Sequence, residues 1–123
     1  MDITPKELVE KIVRLLDAKK GSSIDVLHVG DMTVLTEYMI MCSGTSTTQV
    51  KALADEVEFK LKQEGILPLR TDGYDTASWI ILDYGCVLVH IFEPQARDFY
   101  KLERLWAEGE KVDIDNWLIK GQE

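Results

Sequence analysis

Apolar residues recur at helical spacing in two stretches of this chain and crowd into short unbroken runs elsewhere, and that contrast lays out its elements. Thr4-Pro5-Lys6-Glu7 is a capping box with proline at the first helical position, and Leu8, Ile12, Leu15 and Leu16 follow on one face. An amphipathic helix is predicted there, ending near Lys19-Lys20, with Gly21 free to take a left-handed cap. Ser22 and Ser23 open a loop, and Ile24 to Val29 reads as a first strand with Asp25 and His28 interleaved. Gly30-Asp31 starts a short connection to a second strand, Glu37 to Ser43. This strand runs directly into Gly44-Thr45-Ser46. Ser46 with Gln49 forms another capping box, and Val50, Leu53, Ala54, Val57 and Leu61 stripe a long helix that stops at Gly65. Leu67 to Thr71 reads as the third strand, so strand, helix and strand make a βαβ crossover, expected to be right-handed.

The densest apolar stretch runs from Ser78 to Trp106. Trp79 to Leu82 and Val87 to Phe92 are β-branched and aromatic runs on either side of Asp83-Tyr84-Gly85-Cys86, the pattern of a hairpin with Gly85 at the bend. Neither run alternates cleanly, which predicts that both faces of these strands are covered. Pro94 stops the second strand and opens a short helix with Phe99, Leu102 and Trp106 on one face. The order is αββαβββα, a single α/β domain over 1–110 with helices packed on a mixed sheet. The tail, 111–123, mixes charge with Val112, Ile114, Trp117 and Leu118, and either docks as one more turn or stays mobile. Tyr84 at a turn, Tyr100 and a helix-ending Trp106 are large aromatics where surface is expected, so they mark a contact site. Tyr100 and Leu105 also fall off the apolar stripe and remain available to a partner.

Composition narrows the class. With 123 residues, 46% of them hydrophobic, the chain can bury one core without staples. Its formal net charge of −8 argues against broad, sequence-independent nucleic-acid binding, which depends on Lys and Arg neutralising phosphates. An acidic surface meets a basic partner more naturally, although it also serves solubility alone. Cys42 and Cys86 sit in apolar runs and form neither a disulfide framework nor a zinc pattern, so reduced core thiols in a cytoplasmic protein are expected. No run reaches the roughly 18 apolar residues of a membrane span, and the start, MDITPKELVE, lacks a signal peptide's basic patch and apolar core. A soluble, unprocessed chain is the expectation.

Candidate chemistry is sparse. Backbone N–H groups of a Gly44-Thr45-Ser46 turn opening a helix could hold a phosphate, but there is no Walker lysine, no G-x-G-x-x-G and no acidic pair for Mg²⁺. Asp83 and His90 on facing hairpin strands could form a carboxylate–imidazole pair, yet no Ser, Thr or Cys stands ready as nucleophile, and a structural hydrogen bond is the commoner role. A lone His28 on a strand is more often surface or hydrogen-bonded than a ligand. Neither catalytic residue, cofactor nor metal is expected.

Four segments in order, SGTSTTQVKALADEVE, PLRTDG, SWIILDYGCVLVHIF and RDFYKLERLW, resemble the ribosomal silencing factor, or Iojap-like, family from about Leu8 to Trp106. The resemblance implies a small α/β domain related in fold to nucleotidyltransferases but without their catalytic acids. It implies binding to the joining face of the large ribosomal subunit, through the ribosomal protein numbered fourteen, so that docking of the small subunit is blocked sterically and translation falls when nutrients are scarce. Organellar relatives act in large-subunit assembly, and relatives often form homodimers. By motif, the partner surface carries onto Trp79, Leu82, Asp83, Tyr84, Tyr100, Leu105 and Trp106. Two positions depart from the family pattern: Cys86 stands where Asp commonly follows the hairpin glycine, and Glu37 where Asp commonly precedes the second strand.

Overall fold

The computed structural model describes residues 3–30, 36–100 and 109–118, and for 98–100 the backbone alone. Helix α1 spans Pro5–Ala18, and its capping box forms in full: Thr4 Oγ1 accepts from Glu7 N at 3.1 Å while Thr4 N donates to Glu7 Oε1 at 2.9 Å. At its other end Gly21 N donates to Leu16 O and Lys20 N to Asp17 O, the paired bonds of a Schellman turn. The left-handed residue of that turn is Lys20, with φ 67°, and not the expected Gly21. Glycine is needed at 21 for a different reason: a Cβ there would lie 2.6 Å from Cys42 Sγ and 3.0 Å from Leu16 O.

Strand β1 covers Ser22–His28, so the serines expected to begin a loop already belong to the strand. β2 is Tyr38–Ser43 and helix α2 is Thr47–Gln63, capped by Ser46 and closed at Gly65, whose φ of +80° fits the predicted stop. β3 is only Arg70–Asp72. β4, Trp79–Asp83, and β5, Val87–Phe92, form the expected hairpin, with Gly85 at φ +84°. The backbone of α3 runs over Pro94–Tyr100; the remainder of the predicted helix, with Leu102, Leu105 and Trp106, lies outside the described residues. β6, Glu110–Lys111, and a 3₁₀ turn at Asp115–Trp117 are the last described elements.

The strands form one six-stranded sheet in the order β3-β4-β5-β2-β1-β6. β2 and β5 run parallel at its centre, and the other neighbouring pairs are antiparallel. Strand β3 therefore does not pair with β2, as a simple crossover would have it, but lies at the far edge beyond β5 and β4. It begins three residues later than expected, because Pro68 has no N–H to give the ladder; Leu67 and Leu69 are left 61% and 76% exposed.

Both long helices cover one face of the sheet, where Leu8, Ile12 and Leu16 of α1 and Leu53, Val57 and Leu61 of α2 meet Val26, Ile40, Ile80, Leu82, Val89 and Ile91. On the opposite face Leu27, Met39, Met41 and Phe92 make a smaller cluster with Trp79 and with Ala96 of α3. β5 is buried on both faces as predicted, Leu88 alone being half-buried. β4 alternates after all, Ile80 and Leu82 turned to the helices and Trp79, Ile81 and Asp83 half-buried on the other side. The described part of the tail, 111–118, docks: β6 pairs with β1, and Ile114 is buried in the main core.

Candidate partner-binding face

Strand register decides which side chains share the second face. Trp79 stands opposite Phe92, Ile81 opposite His90 and Asp83 opposite Leu88 on β4 and β5, and Arg70 of β3 stands opposite Asp83. Trp79, Ile81, Asp83 and Leu88 are half-buried there, an apolar strip ending in a charged corner. Trp79 Nε1 donates to His90 Nδ1 at 3.1 Å, and Phe92 stacks with both rings, its centroid 5.4 Å from the indole and 5.9 Å from the imidazole. Burial lowers the His90 pKa to about 4, so the ring is neutral and can accept that bond. At the turn, Asp83 Oδ1 takes the Gly85 N–H at 2.8 Å, and Arg70 approaches the other carboxylate oxygen to 3.9 Å. The Leu69 N–H is bonded to Asp83 O at 2.7 Å, and its Cδ1 lies against Gly85 of the turn.

Of the residues singled out from sequence, Trp79 and Asp83 lie on this face. Leu82 and Tyr84 do not. Leu82 is fully buried and Tyr84 only 8% exposed, both in the main core, because even-numbered positions of β4 and its turn point to the helix side. Burial, with Glu58 nearby, pushes the Tyr84 phenol well above its ordinary pKa, and its hydroxyl has no hydrogen-bond partner among the described residues. Tyr100 ends α3 with its side chain outside the described residues, as Leu105 and Trp106 are entirely. The conceivable Asp83–His90 pair does not form: the register sets them opposite different residues, and each is engaged elsewhere. Ile81, Leu88 and Arg70 were not singled out by the sequence, since an isoleucine on the half-covered face makes WIIL read as an unbroken run.

Other candidate sites are already occupied by the chain's own groups. At the Gly44 turn, Gly44 N donates to Phe92 O, Thr45 N to Gln49 Oε1 and Gln49 N to Ser46 Oγ, so these donors are committed. His28 Nε2 lies 2.6 Å from Glu37 Oε2, the hydrogen-bonded role expected of it. Among the described residues no group of three or more His, Cys, Asp or Glu could hold a metal ion, and no helix is long and apolar enough to cross a membrane.

Residues 2–123 match the family described as ribosomal silencing factor during starvation. A ribosomal silencing factor from Haemophilus influenzae is 41% identical over 100 residues, covering 81% of this chain and 98% of that protein. A crystal structure of a protein from Chromobacterium violaceum has a TM-score of 0.83 at 35% identity, covering 90% of this chain and 92% of the other. A mouse protein named for mitochondrial assembly of the ribosomal large subunit is 31% identical over 105 residues, which cover 80% of this chain and 45% of that protein.

Proposed function

The chain belongs to the ribosomal silencing factor family, and from that membership we propose that it docks on the joining face of the large ribosomal subunit and keeps the small subunit away by occupying its place. The contact is with the ribosomal protein numbered fourteen, in the cytoplasm, and the mechanism is steric, with no bond made or broken. The observation that supports this reading is the strip of Trp79, Ile81 and Leu88, half-buried on the face opposite α1 and α2 and bounded by Arg70 and Asp83. Tryptophan and arginine are the residues most enriched among the anchors of protein interfaces, and here they stand at the two ends of the apolar strip. A net charge of −8 favours approach to a basic surface.

Sedimentation with purified subunits tests it. The protein co-migrates with the large subunit alone, and adding the small subunit then yields less joined particle. Leu88→Glu, which places a second carboxylate beside Asp83 where the strip meets its charged corner, weakens binding at least about thirtyfold while thermal unfolding still shows a cooperative fold. Parent protein that binds neither subunit overturns the function; parent-like binding by Leu88→Glu overturns this face as its site.

A further inference from the structure

We propose that His90 is a positioning residue for docking, a buried acceptor that fixes the Trp79 indole in the orientation a partner meets. The inference rests on the reading of the β4/β5 face as the docking surface. His90 lies in the middle of an apolar strand, 5% exposed, and the rings of Trp79 and Phe92 lie on its own side of the sheet. Its Nδ1 accepts the indole N–H, so in the neutral ring the proton sits on Nε2. That Nε2 is buried with no partner among the described residues. An unpaired buried donor is a cost that leucine or methionine at the same place would not carry. The one thing the imidazole supplies that an apolar side chain could not is the acceptor for Trp79.

The bond has a consequence for recognition. Trp79 and His90 are diagonal neighbours on adjacent strands, and Phe92, directly opposite Trp79, stacks on the indole at 24°. Bond and stack together fix both the tilt and the in-plane rotation of the indole, so less side-chain freedom is lost when a partner covers it. With its N–H committed inward, the indole offers a partner apolar or π contact rather than a hydrogen-bond donor. The group that suits it is an aliphatic side chain or the flat side of a cation.

The test compares His90→Leu, which removes the acceptor but keeps apolar bulk, with His90→Asn, whose side-chain oxygen can stand near the place of Nδ1. Two readouts are taken: affinity for the isolated large subunit, and the Trp79 indole N–H resonance with its hydrogen-exchange protection. His90→Leu loses about tenfold in affinity, the worth of one hydrogen bond, and its indole signal shifts and exchanges faster; His90→Asn recovers part of both. In a Trp79→Phe background, which has no N–H to hold, adding His90→Leu costs no further affinity. That cycle reads out the pair even where one single variant is poorly folded. An unmoved indole signal in His90→Leu, or equal losses in the two backgrounds, overturns the positioning role. Parent protein that fails to bind the subunit overturns the docking reading instead, and the indole resonance then still decides whether His90 holds Trp79.

Discussion

Arg97 of α3 reaches Asp25 of β1 across most of the chain, Nη2 to Oδ2 at 2.7 Å, and with Nη1 also binds Ser23 O and Ser43 Oγ. A guanidinium only 11% exposed thus ties α3 to the two strands it crosses. Arg97→Ala leaves Asp25 without this partner on a half-covered face, and about 2 kcal/mol of stability is lost. Arg97→Lys restores little of it, since an ammonium cannot span three acceptors in a fixed fork. Urea unfolding of the two variants, with the midpoint shift read at constant slope, checks both.

Stability falls on mild acidification because of His90. Its pKa drops from 6.5 to about 4 on burial, so between those values the unfolded chain binds more protons than the folded one. The contribution is complete above about pH 6.5 and is lost as the pH falls towards 4, on the order of 3 kcal/mol in all. His90→Leu flattens that part of the profile. The difference between parent and variant across pH 7 to 4, by chemical denaturation, isolates this histidine from the carboxylates that titrate in the same range.

Tyr84→Phe is neutral or gains about 1 kcal/mol, because it removes a hydroxyl that is buried without a partner among the described residues. Large-subunit binding by this variant equals that of the parent. Tyr84→Ala, by contrast, empties a core position and costs about 3–5 kcal/mol, so any loss of binding it shows reports unfolding rather than a missing contact. Melting temperatures measured beside the binding assay separate the two effects.

The turn after α1 gives a paired prediction. Lys20→Gly relieves a left-handed backbone and stabilises by about 1 kcal/mol. Gly21→Ala, one residue on, forces a methyl against Cys42 Sγ and the Leu16 carbonyl and costs about 1–3 kcal/mol. Thermal unfolding of the pair distinguishes a glycine needed for its backbone angle from one needed for space.

Local chemistry made much of this fold readable in the chain itself. Thr4 and Glu7 announce α1, Gly65 ends α2, and Gly85 bends the hairpin, each through bonds or angles set within a few residues. Tertiary placement is less legible. That β3 lies at the far edge beyond β5 and β4 is a matter of long-range pairing, and no pattern in Arg70-Thr71-Asp72 encodes it. Tyr84 and Leu82 looked like surface and motif, yet a one-residue parity along β4 sends them to the core and leaves Ile81 and Trp79 half-buried on the other face. The pairing of Trp79 with His90 follows only once the strand register is known; the visible trace was a histidine set among the apolar residues of VLVHIF. In the tail, Ile114 carried the signal, an isolated apolar residue among acids that finds its place only when β6 pairs with β1.

The close approach of Gly21 to Cys42 also makes this chain its own reporter of opening. The Cys42 thiol is fully buried at the centre of the sheet and its pKa is pushed up to about 12, so in the folded state it is neither accessible nor ionised. Cys86, at the hairpin turn, is half-buried. A thiol reagent therefore meets two sites on very different clocks: the turn cysteine reports local breathing, while Cys42 reacts only in molecules whose α1 and β2 have parted.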